Sequence, residues 1–310
     1  MKKTAVIGAG AMGILFGGKL AETGNDITMI DVVPAVIDSI NQNGIIIEEN
    51  GQEKRISVPA RRAEEMTEAV DLVILFTKTL YSRSALESAK GFIGGDTYVM
   101  TLQNGLGNEE LIQEFTAQEK IIVGVTNYNS DVKGPGRIST QGEGYVKFMS
   151  ADGKHRKILD EILTMLNDAG FQAEITQDVF EAIWEKAAFN AAVNSTTALC
   201  RLPLGAVGSV EEGRLLTRRI AEEAAMTAEA CGIRIDPEKI VESIAYAFQA
   251  HRDHYPSMAQ DVLAHRKTEA RFINGEIVKQ AKQKGIHVPF TEAVYDLLRV
   301  VEDTYDYRAG

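Results

Sequence analysis

Three glycines near the beginning of the chain constrain its fold more than any other feature. They form the pattern Gly-x-Gly-x-x-Gly over residues 8–13, between an apolar stretch at 4–7 and a helical pattern that runs to Leu20. In such a turn the first glycine permits a sharp bend, the second lets the backbone approach a pyrophosphate, and the third lets the helix pack closely on the strand. The pattern predicts dinucleotide binding, with a glycine-rich core turn as the alternative. The predicted cofactor contacts are Gly8, Ala9, Gly10, Ala11, Met12 and Gly13.

The residue that ends the next apolar stretch bears on the choice of cofactor. Asp31 closes the stretch 27–31 and follows Gly13 by 18 residues. A carboxylate at this place accepts a hydrogen bond from the adenosine ribose 2′-hydroxyl and repels a 2′-phosphate. The next three residues, Val32-Val33-Pro34, contain no cation. NAD is therefore the favoured cofactor, and binding of NADP requires that the fold bring Lys78, Arg61 or Arg62 to the phosphate.

Strand-like stretches alternate with helical patterns through the first half of the chain. Residues 71–77, 97–102 and 121–126 are continuous apolar runs, which are typical of strands buried on both faces of a parallel sheet. Residues 45–58 have the pattern of a hairpin that turns at Asn50-Gly51. We predict a Rossmann-like, doubly wound α/β sheet that forms a dinucleotide-binding domain over residues 1–172.

Strand-like stretches stop at about residue 178. Amphipathic helical patterns then cover residues 178–200, 209–231, 237–252, 258–284 and 290–307. We predict an all-helical domain over residues 173–310 that makes the substrate and dimer contacts. A chain of 310 residues is longer than a single core usually spans, which agrees with two domains.

One predicted helix carries a polar stripe among small apolar residues. Lys186, Asn190 and Asn194 are four residues apart, so they share one face of the helix. Buried polar groups need partners, and none of the neighbouring alanines can supply one. One interpretation is the wall of a site, where the lysine meets a developing negative charge and two amides hold a polar ligand. The alternative is a lysine that reaches solvent beside two surface asparagines.

The composition argues against several other classes of protein. The net charge of −11 is unfavourable for binding nucleic acid or an anionic membrane. Two cysteines, Cys200 and Cys231, are too few for a disulfide framework and suit a cytoplasmic protein. No apolar run beyond the glycine motif approaches the roughly 20 residues that a membrane-spanning helix needs.

Histidines near one helix end are a candidate metal site. His251 and His254 are three residues apart, with Asp253 and His265 nearby in the sequence. Because this spacing provides no convergent third ligand, we predict no metal site.

Taken together, the motifs resemble those of the ketopantoate reductase (2-dehydropantoate 2-reductase) family, and the resemblance covers essentially the whole chain. Each motif is short, but their order and separations agree with the family pattern. The motifs are residues 8–13, Lys78, residues 103–107, residues 184–186 with Asn190 and Asn194, residues 256–261 and residues 268–275.

The resemblance implies a role for each matching residue. Lys186 would be the proton donor, and Lys78 and Glu269 would contact the cofactor or tie it to the lysine. Asn104 would lie between nicotinamide and substrate, while the hydroxy or keto acid would be held by Asn190, Asn194 and Ser257. The implied reaction is hydride transfer from NAD(P)H to a branched 2-keto acid such as ketopantoate, giving a D-2-hydroxy acid for pantothenate biosynthesis. The family also implies a homodimer. Its expected binding partner, apart from the cofactor, is the small-molecule 2-keto or 2-hydroxy acid.

Asp31 departs from the pattern of NADPH-using family members, which carry an arginine near the end of the second strand. A first alternative is therefore an NAD-dependent D-2-hydroxyacid dehydrogenase, similar to those that act on mandelate, outside pantothenate synthesis. A second is a dinucleotide-sensing protein without turnover, which would not need Lys186. A third is a β-hydroxyacid dehydrogenase, which Asn104-Gly105 and Pro256-Ser257 fit less well.

Overall fold

The computed structural model describes residues 2–307, which form two compact units. The sheet unit consists of residues 2–103 and 108–179. The helical unit consists of residues 104–107 and 180–307, so a four-residue loop from the first half of the sequence belongs to it. The two units confirm the predicted fold class, an α/β sheet followed by an all-helical part.

The bounds of the regular elements are as follows. The strands are β1 Lys3–Ile7, β2 Asp26–Ile30, β3 Ile45–Glu49, β4 Gln52–Ile56, β5 Ala60–Arg61, β6 Leu72–Leu75, β7 Tyr98–Thr101, β8 Ile121–Thr126, β9 Ser130–Gly134, β10 Arg137–Thr140, β11 Tyr145–Ser150 and β12 Gln172–Ile175. The α-helices are α1 Ala11–Glu22, α2 Pro34–Asn43, α3 Ser82–Ser88, α4 Asn108–Gln113, α5 Lys157–Asp168, α6 Val179–Cys200, α7 Leu204–Ser209, α8 Glu211–Ala230, α9 Pro237–Ala250, α10 Ser257–Leu263, α11 Asn274–Lys284 and α12 Pro289–Asp303.

The main sheet has eight strands in the order β12-β11-β8-β7-β6-β1-β2-β5. All neighbours pair in parallel except β8 and β11, which are antiparallel. The chain order reverses at β1, which lies between β2 and β6. In open α/β sheets a ligand binds at such a reversal, outside the carboxyl ends of the strands. The topology therefore directs attention to the residues that follow β1 and β6.

A second, four-stranded sheet in the order β4-β3-β10-β9 lies within the sheet unit. Its β3–β4 hairpin turns at Asn50-Gly51 as predicted, and both turn residues have positive φ, 53° and 75°. The sequence did not reveal that β10 would pair in parallel with β3, because this pairing joins segments about 90 residues apart.

The helical unit is built around α6, whose small side chains allow close packing. Ala187, Ala188 and Ala191 are all buried, with exposures of 1% or less. After Ile175 the described residues, which end at 307, contain helices and turns but no strand. Within the same residues, no helix combines the length and apolar character needed to cross a bilayer.

The single helix predicted over residues 258–284 is wrong. The structure has two helices there, α10 and α11, joined by a non-helical link at residues 264–273. His265 has a left-handed φ of 53°, which is unfavourable within a helix, and the N–H of Thr268 bonds to the side chain of Glu302. Thr268, Ala270 and Ile273 of this link are buried, while residues 264–267 are exposed. Glu269, one of the predicted site residues, lies in this link.

Candidate active site

The glycine turn after β1 has the geometry that a phosphate-binding turn requires. Gly8 has a φ of 100°, and a Cβ added there would lie 2.7 Å from the backbone nitrogen of Thr77. A Cβ on Gly13 would lie 1.8 Å from the carbonyl oxygen of Gly8, so any side chain would separate α1 from the turn. Gly10 is exposed, with no atom within 4 Å of an added Cβ. The turn is therefore closed on its protein side and open at Gly10, where α1 begins.

The carboxylate of Asp31 is tied to the glycine turn. Its Oδ2 accepts a hydrogen bond from the backbone N–H of Ala9 at 2.7 Å. Its Oδ1 accepts from the backbone N–H groups of Val32 and Val33 at 2.8 and 2.9 Å. A carboxylate offers about four acceptor positions, so it can still accept a bond from a ribose hydroxyl. Asp31 thus also shapes the backbone around the cofactor site, a role the sequence did not predict.

Of the two arginines named as possible partners of a 2′-phosphate, Arg61 ends the strand next to Asp31 and Arg62 immediately follows it. β5 pairs with the end of β2, with Arg61 opposite Ile30, and the backbone N–H of Asp31 bonds to the carbonyl of Arg61 at 3.2 Å. The side chains of Arg61 and Arg62 are both exposed. Lys78 lies three residues beyond the carboxyl end of β6, where the backbone begins a 3-10 turn, and is half-buried.

A partly buried polar network joins the carboxyl ends of β6 and β7. The side-chain amide of Gln103 donates to the carbonyl of Thr77 at 2.5 Å and to the hydroxyl of Ser82 at 2.8 Å. Its oxygen accepts from the hydroxyl of Thr101 at 3.0 Å. Gln103 therefore fixes the strand ends that precede Lys78 and Asn104. A signal for Gln103 was present in the sequence, because this residue immediately precedes Asn104 at the end of an apolar strand.

Lys186 has an unusual electrostatic environment on α6. The residue as a whole is half-buried, but its ammonium group is densely surrounded by protein. Burial lowers the pKa of Lys186 from its usual 10.5 to about 8, and the charge of Glu269 opposes this shift. The ammonium form therefore predominates at pH 7, and the neutral form becomes available one pH unit higher. Such a group can donate or accept a proton near neutral pH.

Glu269 and Asn104 reach the lysine from two different parts of the sequence. The side-chain amide of Asn104 donates to Oε2 of Glu269 at 3.5 Å. The same loop is fixed by a 2.8 Å bond from the N–H of Leu106 to the carbonyl of Phe272. Gly105 permits this contact, because its φ is 87° and an added Cβ would lie 2.5 Å from that carbonyl oxygen. The structure thus brings Lys186, Glu269 and Asn104 together.

The two asparagines of the stripe are buried, with exposures of 8% for Asn190 and 6% for Asn194. Burial removes both side chains from most of the solvent, and buried amides in proteins nearly always have a hydrogen-bond partner. A polar ligand would satisfy both. The alternative interpretation, two surface asparagines, is therefore wrong. Ser257 is exposed as the first residue of α10, and no hydrogen bond in the described part of the chain links it to Lys186 or Glu269.

The remaining candidate groups do not assemble into a metal site within residues 2–307. No three His, Cys, Asp or Glu side chains there come close enough to hold an ion. His251, His254 and His265 are all exposed. Both cysteines are free thiols, and burial raises the pKa of Cys231.

Comparison with known proteins identifies the family. Residues 4–153 match the model "Ketopantoate reductase PanE/ApbA", and residues 178–302 match its C-terminal counterpart. A 2-dehydropantoate 2-reductase of Streptococcus pyogenes serotype M3 is 33% identical over 96% of this chain and 97% of its own length.

Two solved structures share the whole fold. One is a ternary structure of D-mandelate dehydrogenase with NADH and anilino(oxo)acetate; it is 29% identical, has a TM-score of 0.93, and covers 98% of this chain and 99% of that one. The other is a 2-dehydropantoate 2-reductase from Geobacter metallireducens GS-15, 28% identical with a TM-score of 0.90, covering 96% and 99%. The chain therefore belongs to the ketopantoate reductase family of NAD(P)-dependent oxidoreductases.

Proposed function

We propose that the protein reduces ketopantoate or a closely related branched 2-keto acid to the D-2-hydroxy acid, with Lys186 as the proton donor. The observation that carries this proposal is the composition of one helix face. An ammonium group whose pKa is about 8 stands in line with the buried carboxamides of Asn190 and Asn194. A 2-keto acid offers a carbonyl that gains charge and a carboxylate that accepts hydrogen bonds, and both match this face.

The chemistry assigned to the residues is as follows. When bound, the nicotinamide supplies a hydride to the keto carbon. Lys186 stabilises the charge that develops on the carbonyl oxygen and transfers a proton to it, so that one hydride and one proton are consumed per hydroxy acid formed. Glu269 keeps the ammonium form populated against the effect of burial. Asn190, Asn194 and Ser257 would hold the acid, and Asn104 would orient it beside the nicotinamide.

For the cofactor we propose NADH in preference to NADPH. Asp31 places a negative charge beside the glycine turn, at the sequence position where a ribose 2′-oxygen is expected. A 2′-phosphate would bring like charges together, which costs several kcal/mol when the site is partly desolvated. Arg61 and Arg62 are the cations that would offset this repulsion if they reached the phosphate, because β5 carries Arg61 beside the end of β2. We assign the remaining contacts with the cofactor to residues 8–13, Lys78 and Glu269.

A second candidate is an NAD-dependent D-2-hydroxyacid dehydrogenase that acts on an aromatic acid such as mandelate. Two observations favour it: the likeness to D-mandelate dehydrogenase, with a TM-score of 0.93, and the carboxylate of Asp31. Both candidates use the same hydride and proton transfer, so they differ only in the side chain that the substrate pocket accepts.

We also propose that residues 1–172 bind the dinucleotide, and that residues 173–310 bind substrate and form a homodimer. Large apolar side chains exposed on α8 and α12 support the dimer: Leu215, Met226, Leu297 and Val300 are 43–59% exposed. Sedimentation equilibrium at micromolar concentration measures the mass directly. A mass near 34 kDa would reject the dimer, since one chain is 33.9 kDa.

The decisive experiment is a panel of 2-keto acids assayed by the absorbance of the reduced cofactor. The panel contains ketopantoate, unbranched aliphatic acids and phenylglyoxylate, each with NADH and NADPH in parallel. The highest kcat/KM with ketopantoate supports the first candidate, and the highest value with phenylglyoxylate supports the second. If no 2-keto acid is reduced at millimolar concentration with either cofactor, the proposed reaction is wrong.

A further inference from the structure

Glu269 lies in a link without regular structure, so its position depends on side-chain contacts of the link. At one end, the carboxylate oxygen Oε1 of Glu302 accepts two hydrogen bonds from Thr268, one from its N–H at 2.6 Å and one from its hydroxyl at 2.5 Å. The hydroxyl oxygen of Thr268 in turn accepts from the N–H of Ala270 at 3.0 Å. The backbone on both sides of Glu269 is therefore bonded to one threonine side chain and its glutamate.

The Thr268–Glu302 contact is buried and charged. Thr268 and Glu302 are each 4% exposed, and the other oxygen of Glu302 accepts from Arg299 at 2.6 Å. Hydrogen bonds to an ionised acceptor are about twice as strong as those between neutral groups. The neighbouring charges on the link, Lys267 and Arg266, pair with Asp303 and Asp261. Glu302 thus fixes Thr268 firmly from α12.

The other end of the link is fixed to the helix that carries the lysine. Asn274 is fully buried, and its side-chain amide donates to the carbonyl of Ala191 on α6 at 3.0 Å. Between the two ends, the carbonyl of Phe272 accepts from the N–H of Leu106, two residues after Asn104 in the sequence. The link is therefore fixed to α6, to the loop that carries Asn104, and to α12 through Glu302 and Asp303.

We propose that Thr268 and Glu302 form a positioning pair, which holds the Glu269 carboxylate in place beside Lys186 and so sets the protonation state of the catalytic lysine from α12. Neither residue touches the substrate in this account. Their effect passes through the backbone at Glu269, and the inference rests on the proposed role of Lys186.

Loss of the Thr268–Glu302 pair should lower the pKa of Lys186. The charge of Glu269 raises the pKa of Lys186 against burial, so a Glu269 that moves away leaves burial unopposed. The pKa of Lys186 then falls below 8, and less of the ammonium form is present at neutral pH. An opposite charge within about 4–6 Å shifts a pKa by roughly 1–3 units, so partial loss should lower it by about half a unit or more.

The helical unit contains a matched control. Glu223 on α8 binds Thr291 in the same way, with Oε2 accepting from its N–H at 2.7 Å and from its hydroxyl at 2.6 Å. Thr291 is fully buried, and Glu223 is 4% exposed. This contact fixes the beginning of α12 rather than the link at Glu269. Thr268→Val and Thr291→Val therefore remove the same hydroxyl from the same kind of buried contact.

The test measures the pKa of Lys186 itself in the full-length protein. Protein labelled with 13C at lysine Cε is titrated by NMR from pH 6 to 11, and the Lys186 signal is assigned by its absence in Lys186→Arg. Thermal unfolding of each variant reports the structural cost. Because this readout does not depend on turnover, a failed keto-acid assay would reject the proposed reaction and leave the positioning result intact.

We expect a Lys186 pKa of about 8 in the unmodified protein and a value lower by at least roughly half a unit in Thr268→Val. Thr291→Val should lose a similar amount of thermal stability and keep the original pKa. Thr268→Ser, which retains the hydroxyl, should restore the original value. An unchanged pKa in Thr268→Val, or an equal fall in both valine variants, would overturn the proposal. If Thr268→Val does not fold, Glu302→Gln is titrated instead and must show the same fall.

Discussion

Glu269 and Lys186 lie 83 residues apart in the sequence, and the charge of Glu269 holds the pKa of Lys186 above the value that burial alone would give. Two opposing effects thus set one protonation equilibrium. Desolvation is the larger, so the pKa settles at about 8 rather than 10.5. At this value the same residue can donate a proton to a keto acid and accept one from a hydroxy acid.

The lowered pKa of Lys186 predicts a stability cost that depends on pH. Below pH 8 the lysine is charged in the folded and unfolded protein alike, and the cost is fully present. Between pH 8 and 10.5 the unfolded chain binds more protons than the folded protein, so this contribution to stability rises with pH. Lys186→Met should therefore increase the free energy of unfolding at pH 7 by roughly 1–3 kcal/mol.

Urea denaturation of both proteins at pH 7 and pH 10.5 measures this difference, and other titrating groups cancel in the comparison. The advantage of Lys186→Met should shrink toward zero at the higher pH. An advantage that is the same at both pH values would show that it comes from packing rather than from the charge.

The two stripe asparagines should act on the keto acid and not on the cofactor. Asn190→Ala or Asn194→Ala removes a hydrogen-bonding group from a buried polar ligand, which costs roughly 1–3 kcal/mol or about 5- to 150-fold in KM. The KM for NADH should change little. Thr196→Val is the matched control on the same helix, because its hydroxyl already bonds to the carbonyl of Ala192 at 2.7 Å. Measurement of the KM for the keto acid and for NADH tests this prediction. A change confined to the KM for NADH would show that the stripe contacts the cofactor instead.

Asp31 should determine both cofactor preference and local stability. We expect NADH to be preferred over NADPH by at least about tenfold in kcat/KM. Asp31→Asn removes the negative charge and weakens three hydrogen bonds to backbone N–H groups, so it should narrow the preference and lower the unfolding temperature. Asp31→Arg should reverse the preference at a greater cost in stability.

The matched control for Asp31 is Asp38→Asn on α2, an exposed residue with the same charge change. This variant should alter neither the cofactor preference nor the unfolding temperature. If the unmodified protein uses NADPH as well as NADH, a cation reaches the 2′-phosphate, and Arg61→Ala should then weaken NADPH use more than NADH use. Such a result would contradict the expected preference and support a role in pantothenate synthesis.

The local parts of this structure could be predicted from sequence because each depends on neighbouring residues. The Gly8–Gly13 turn, the Asn50-Gly51 hairpin and the polar face of α6 follow from backbone conformation and helical periodicity. They required no knowledge of distant contacts.

The parts that could not be predicted depend on long-range contacts. The link carrying Glu269 was expected to be helical, since nothing near it in the sequence shows that Glu302 withdraws the N–H of Thr268 from a helix. The bond from the N–H of Ala9 to Asp31 was missed for a related reason: the residue type predicted a ligand contact, and this second role depends on a residue 22 positions earlier in the chain.

Proton donation by Lys186 can be tested through the pH dependence of kcat/KM for keto-acid reduction and hydroxy-acid oxidation between pH 6 and 10. If Lys186 is the proton donor, reduction should fall and oxidation should rise with the same apparent pKa, near 8. In Lys186→Ala both pH-dependent limbs should disappear, and kcat should drop by roughly two to four orders of magnitude while NADH still binds. Near-normal turnover in Lys186→Ala, with the original pH profile intact, would show that Lys186 is not the proton donor.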